Sequence, residues 1–243
     1  MEEKIKSLSE SFDMKRSDGK YQLPKRDKRN SISLIRYADD LVILHESEEA
    51  IHQCHQVIAE WLQQIGLELK PNKTRIAHSL ESYREEEKGF DFLGFHISQY
   101  KAGKCRSGKD SNGNLLGFKT LISPSQKSQK KHYAKVAEVI EKHRGKSQVA
   151  LIKNLNPIIN GWCNYFKPYQ SSKAFSKIDY LIWWKLWKWG KHRHRNKGSK
   201  WLRSKYWHTK KGDNWVFSTR EHSNPYHNHE TLICIHQHWV YKS

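Results

Sequence analysis

Apolar residues recur along this chain at two different periods. Between residues 31 and 44 two short apolar runs, 31–36 and 41–44, flank Tyr37-Ala38-Asp39-Asp40. Two short apolar runs around so short a connection predict a β-hairpin. Ser47 followed by Glu48 and Glu49 then reads as a helix N-cap with acidic first-turn residues, and Ile51, Cys54, Ile58, Trp61, Leu62 and Ile65 mark one apolar helical face up to Gly66. Such a helix is built to pack on a sheet. Residues 67–69 alternate as a short strand, Pro71-Asn72 turns the chain, and residues 90–98 supply another strand. Hairpin, helix, strand and strand make an α+β layer.

Residues 100–117 are rich in Gly, Lys, Ser and Asn, which marks a long turn or hairpin tip and a domain boundary. Beyond it the period becomes helical. Helices are predicted over about residues 125–142, 147–165, 171–191 and 199–207, the second with Val149, Ile152, Leu155, Ile159 and Trp162 on one face. Residues 211–243 alternate more like strands. Residues 1–30 are polar and charged, with Gly19 and Pro24 and little periodicity, and read as a flexible lead or the remnant of a longer loop. The expected order is a polar lead (1–30), an α+β layer (31–100), a linker or hairpin (101–122), a mostly helical domain (123–210) and a divergent tail (211–243). No internal repeat is evident.

Charge sharpens this division. The 243 residues carry 44 Lys plus Arg against 25 Asp plus Glu, a formal net charge of +19, and no apolar run long enough to span a bilayer. The natural partner is a polyanion. Residues 1–120 hold 20 basic and 19 acidic side chains, net +1, whereas residues 121–243 hold 24 and 6, net +18. Nucleic-acid affinity is therefore expected in the second half. Nine of the ten tryptophans lie there too, interleaved with basic residues; cations for phosphates and flat rings for bases suit RNA. Lys185, Lys188, Lys191, Arg193, Arg195, Lys200 and Lys205 are the candidate phosphate contacts and Trp187 the candidate stacking ring, while Trp184 falls at core spacing. The competing reading of the basic cluster is a solvated charged face.

Cys54, Cys105, Cys163 and Cys234 form no Cys-x-x-Cys pair and the N-terminal residues are no signal peptide, so a reduced, cytoplasmic setting is expected. Cys234, His236 and His238 could share one strand face as zinc ligands, but polar strand side chains are the better reading, and no structural zinc is expected. His227-Asn228-His229 carries no nuclease weight, because such motifs are spread over a ββα unit.

The turn Tyr37-Ala38-Asp39-Asp40 is the candidate chemistry. Two adjacent carboxylates at the rim of a sheet suit phosphoryl transfer by two divalent ions, which stabilise the attacking and leaving oxygens. Magnesium, with its hard oxygen ligands and retained waters, fits such a site. A surface turn rich in Asp is the bland alternative.

This turn, then Gly66-Leu67-Glu68-Leu69 with Lys73-Thr74-Arg75, then Gly89-Phe90-Asp91-Phe92-Leu93-Gly94-Phe95, resemble successive blocks of the reverse-transcriptase domain of group II intron-encoded proteins. Asn160-Gly161-Trp162-Cys163-Asn164-Tyr165-Phe166, inside a matching run over residues 151–166, with Ser171-Ser172-Lys173-Ala174-Phe175, resembles their maturase-specific thumb, domain X. Arg193-His194-Arg195-Asn196-Lys197, Lys200-Trp201 and Asn214-Trp215-Val216-Phe217 fit its C-terminal part, so the resemblance covers roughly residues 35–217. It implies a partial polymerase palm followed by a helical thumb. Asp39 and Asp40 would be catalytic carboxylates that bind metal, with Tyr37 and Ala38 beside the nucleotide and primer end. Phe92, Leu93, Gly94 and Phe95 would form the element near the primer terminus, Gly94 letting backbone approach nucleic acid closely. Lys73 would lie near the active site, a solvated turn lysine being the equal alternative.

Fingers and a third catalytic aspartate have no counterpart before Ile32, and Asp13, Asp18 and Asp27 read as surface acids. The chain is accordingly read as N-terminally truncated, with an exposed sheet edge. The implied chemistry is RNA-directed DNA polymerisation by a nucleotidyltransferase of a mobile element, requiring Mg²⁺ where its site is assembled. Retained intron RNA binding and splicing assistance are the expected activity, and the chain alone is expected to be inactive as a polymerase. Partners would be intron RNA, an RNA/DNA template-primer and a missing fingers/palm polypeptide, with no membrane. A decayed remnant or half of a split reverse transcriptase are the alternatives.

Overall fold

The computed structural model describes residues 2–15, 20–84, 87–111, 113–210 and 213–219. The chain divides into two compact units, Met1–His78 with Ser82–Glu87, and Ser79–Glu81 with Lys88–Ser243. Both mix helix and strand, the α+β class expected.

The first unit runs α1 (Glu2–Ser9), α2 (Lys25–Ser31), β1 (Ser33–Tyr37), β2 (Asp40–Leu44), α3 (Glu48–Gln64) and a 3-10 turn, Pro71–Lys73. Ile5, Phe12, Ile32, Ala50, Cys54 and Ile58 are its buried centre. The flexible lead expected over residues 1–30 is thus corrected: Ile5 and Phe12 anchor it. Buried Lys28 donates to the Phe12 carbonyl at 2.6 Å, and Arg29 reaches Glu3 and Glu10 at 2.9 Å each. Ile5, Leu8 and Phe12 do recur at helical spacing, but the surrounding charge hides so short a stripe.

The side chain of Ser47 caps α3 by accepting from the Ala50 N–H at 3.4 Å, as expected. At the other end the Gly66 N–H donates to Gln63 and the Leu67 N–H to Leu62, a Schellman closure that uses Gly66 at φ 74°. The strand expected at residues 67–69 does not form, because Leu67 belongs to this closure and is 57% exposed. Ile65, expected on the buried face, is exposed as well.

The second unit runs β3 (Phe90–Phe92), β4 (Phe95–Lys101), β5 (Phe118–Pro124), α4 (Gln126–Lys142), α5 (Gln148–Phe166), α6 (Ser172–Arg193), α7 (Ser199–Tyr206), β6 (Trp207–Lys210) and β7 (Asp213–Phe217). The single strand expected over residues 90–98 is two, folded back at Leu93-Gly94. β4 and β5 pair antiparallel from Phe95 opposite Pro124 to Lys101 opposite Phe118, so residues 118–122 are sheet. Ser125 and Ser147 cap α4 and α5 by accepting from the Ser128 and Ala150 N–H groups at 3.1 and 3.2 Å. The core is larger here, built on Val136, Ile140, Leu151, Leu155, Ile182 and Leu186. Val149, expected on the buried face of α5, is exposed; Leu151 takes the inward place in that first turn. No helix among the described residues is long and apolar enough to cross a membrane. Cys234, His236, His238 and the His227-Asn228-His229 string lie outside the described residues.

Candidate functional site

In the first unit the acidic turn sits where the pattern predicts. Tyr37 pairs with Asp40, leaving Ala38 and Asp39 as a two-residue connection. Ala38 alone of the two has positive φ, 53°, the sign pattern of a type II′ turn, whose first central position favours glycine. An alanine held there carries strain of about 1–2 kcal/mol. One face of the hairpin, with Leu34, Leu41 and Ile43, packs on the core. The other is open: Ile35, Tyr37 and Leu44 are exposed, and Asp40, paired with Tyr37, shares that face.

Asp39 and Asp40 are both exposed. Two carboxylates with waters can hold one hard cation. A two-metal centre needs more acids, and among the described residues no group of three His, Cys, Asp or Glu side chains could hold an ion. The donor set of the described residues does not fit a two-metal site. Asp13 accepts from the Gln22 amide and Asp27 lies exposed in the first turn of α2, while Asp18 is outside the described residues. Lys73 closes the exposed 3-10 turn, its N–H donating to Lys70 at 2.9 Å.

Phe92, Leu93, Gly94 and Phe95 belong to the second unit. Phe92 pairs with Phe95, and Leu93 and Gly94 take φ of 50° and 83°, both positive as in a type I′ turn. The turn is clamped by the helices. Tyr165 donates its hydroxyl to the Leu93 carbonyl at 3.0 Å, and the Ser125 N–H donates to Gly94 at 2.9 Å. The Phe95 ring packs against Tyr165, Phe166 and Tyr169 at 5.1, 4.7 and 4.7 Å. A Cβ on Gly94 would meet Phe166 at 3.6 Å, an ordinary contact, so glycine answers the turn's conformation here. The neighbours on that side are Phe166 and Ser128. Sequence reading missed this aromatic clamp, although Tyr165 and Phe166 stood in a motif it singled out.

The expected RNA contacts separate into two groups. Lys188, Lys191, Arg195, Lys200 and Lys205 are exposed, Lys205 lying 5.3 Å over the Trp201 ring. Lys185 instead pairs with Glu141 at 2.5 Å, and that hydrogen bond holds the Glu141 carboxyl below the usual carboxylate range. Arg193 donates to the carbonyls of Arg144 and Lys146 at 3.0 and 2.5 Å and lies over the Trp189 ring, so it ties α6 to the turn between α4 and α5. The tryptophans are exchanged relative to expectation. Trp187 is half-buried, stacked on Trp183 at 5.3 Å and against Trp207 at 5.0 Å, whereas Trp184, assigned to the core, is 42% exposed.

Two family models match the chain: reverse transcriptase (RNA-dependent DNA polymerase) over residues 5–97, and group II intron, maturase-specific domain, over residues 129–207. This chain belongs to the group II intron reverse transcriptase/maturase family. Comparison with curated proteins gave no match. The reverse-transcriptase match begins at residue 5, which corrects the expectation that nothing before Ile32 resembles the polymerase: α2 and most of α1 lie within it. The same match runs on to residue 97, so the Leu93-Gly94 turn is reverse-transcriptase sequence held in place by Ser125 and Tyr165. Membership carries a general dependence on divalent metal for polymerisation.

Proposed function

We propose that this chain works as an RNA-binding maturase, gripping intron RNA with its second unit and stabilising the folded ribozyme. One observation carries the reading. The first compact unit holds 14 basic and 16 acidic residues, net −2, and the second 30 and 9, net +21. The polyanion-binding charge therefore segregates with the unit that includes the maturase-specific match, more cleanly than a cut at residue 120 implies. Exposed lysines neutralise phosphates and release counterions. Splicing assistance of this kind needs no bond made or broken by the protein. Polymerisation on an RNA/DNA template-primer is the second reading, favoured by the reverse-transcriptase match and the exposed Asp39-Asp40 turn. It requires acids from outside the described residues, such as those of a second polypeptide, with Mg²⁺ the proposed ion.

The test is excision of a group II intron RNA at low Mg²⁺, with and without the full chain, alongside Asp39→Asn/Asp40→Asn. Acceleration by both proteins alike is expected. No acceleration by either would overturn the maturase reading and favour a remnant without activity, and acceleration lost only in the aspartate variant would overturn the claim that no acid chemistry is needed. Binding itself should weaken with salt at a slope of log affinity on log salt near −4 for about six phosphates contacted at single-strand charge spacing.

A further inference from the structure

The outer face of α6 bears a continuous stripe that neither family match assigns a role. Lys173, Lys177, Tyr180, Trp184, Lys188 and Lys191 follow one another at intervals of three or four residues, and all six are exposed. At 100° per residue they fall within one narrow sector of the helix, and at 1.5 Å per residue they extend over about 27 Å. The opposite sector is the core face, with Ile178, Ile182, Leu186 and Trp189 buried. The helix has a single acid, Asp179, and it is buried on another side. No ion pair among the described residues engages any of the four lysines.

The centre of the stripe is aromatic. Tyr180 is 64% and Trp184 42% exposed, with their rings edge to face at 6.2 Å and 77°. Trp183, which meets Trp184 edge to face at 5.1 Å, is in turn stacked on Trp187. Two large rings left in water between two pairs of unpaired lysines are costly for solubility and unneeded for packing. They match one kind of ligand. A base swung out of its helix can lie on the indole face, walled by the tyrosine, while phosphates on either side run along the lysines. A regular duplex offers phosphates but no free base face.

We infer that the α6 stripe is a docking surface for an unpaired segment of RNA, with Trp184 as the stacking platform and Lys177 and Lys188 as the nearest phosphate contacts. This rests on the maturase reading and deepens it by naming the surface and the form of RNA it takes.

The experiment uses the full chain and two fluorescein-labelled probes, an unstructured 20-nucleotide single-stranded RNA and a 20-base-pair RNA duplex, in anisotropy titrations across salt. Trp184→Ala should weaken single-strand binding about 5- to 150-fold with the salt slope unchanged. Trp184→Leu should behave like the alanine variant, and Trp184→Phe should stay within about threefold of the parent. Lys177→Gln/Lys188→Gln should make the single-strand slope shallower by about 1.4. Duplex binding should be indifferent to the Trp184 variants. Because Trp184 is exposed, all variants should keep the parent's thermal transition, and the Phe-versus-Leu comparison remains decisive if alanine lowers it. Failure of the parent chain to bind either probe would overturn the maturase reading itself. Parent-like binding by Trp184→Leu and by the double lysine variant would leave that reading standing and overturn this one. An equal loss on single strand and duplex would overturn the stacking role.

Discussion

Gly89→Ala is a severe test of how the clamped turn is built. Gly89 precedes β3 at φ 87°, and a Cβ there would lie 2.3 Å from the Ile97 carbonyl oxygen and 2.7 Å from the Ser98 Cβ on β4. Placing an L-residue in the left-handed region costs about 1–2 kcal/mol. Moving backbone to relieve the overlap costs a further 1–3 kcal/mol or so, since the obstructing atoms are not the end of a flexible side chain. The sum is a loss of about 2–5 kcal/mol. Two other glycines separate these contributions. Gly113 has φ 85° with nothing within 4 Å, so its alanine variant should lose only the conformational part, about 1–2 kcal/mol. Gly103 has neither positive φ nor a near neighbour, and alanine should stabilise by about 0.4–1 kcal/mol through the unfolded chain. Urea unfolding followed by tryptophan fluorescence reads the second unit, because only Trp61 lies in the first. The order Gly103→Ala above parent, then Gly113→Ala, then Gly89→Ala, is expected. If Gly89→Ala were no worse than Gly113→Ala, the β3–β4 register that sets Phe90 opposite Ile97 would be wrong.

Arg193→Ala should destabilise the second unit by about 2 kcal/mol in the same urea assay, through loss of charged hydrogen bonds to Arg144 and Lys146, and should lower RNA affinity no more than Lys191→Gln does; a purely RNA-binding arginine would reverse that order. The chain alone should give no primer extension on an RNA template with Mg²⁺ or Mn²⁺, because two exposed carboxylates position metals poorly; template-dependent extension abolished by Asp39→Asn would refute this. Burial, and then the charge of Asp179, push the Cys163 thiol up to about 12, so peptide mapping after brief iodoacetamide treatment at pH 8 should find exposed Cys105 labelled well before Cys163. Since that folded value lies above the ordinary 9.0, the thiol's contribution to stability is full below about pH 9 and is lost as pH climbs toward 12. A Cys163→Ala chain should therefore show a shallower loss of stability over that window, and an unchanged one would contradict the assigned burial.

Much of the fold was legible because local signals agreed. Ser47, Ser125 and Ser147 each precede a helical stripe and each caps its helix. The hairpin around Ala38-Asp39 was legible from two short apolar runs flanking a tight acidic turn. What stayed hidden depended on tertiary partners. Leu67 looked like strand but serves the closure of α3. Ile5 and Phe12 looked solvated because Lys and Glu surround them, yet α1 and α3 bury them together. Trp184 and Trp187 stand three residues apart, and only the position of β6, which brings Trp207 against Trp187, decides which ring faces water. At the candidate sites the residue types were legible but their protein partners were not: Lys185 pairs with Glu141, and Arg193 with carbonyls of the turn after α4, contacts that only the tertiary packing brings together.

Ultraviolet cross-linking of the full chain to a group II intron RNA, with the linked peptides mapped by mass spectrometry, tests the central claim most directly. The charge of +21 on the second unit and −2 on the first predicts that the adducts fall between residues 126 and 210, with Trp184 and Tyr180 among the strongest, and that they fade as salt is raised. Adducts concentrated on residues 2–78, or a pattern indifferent to salt, would contradict it.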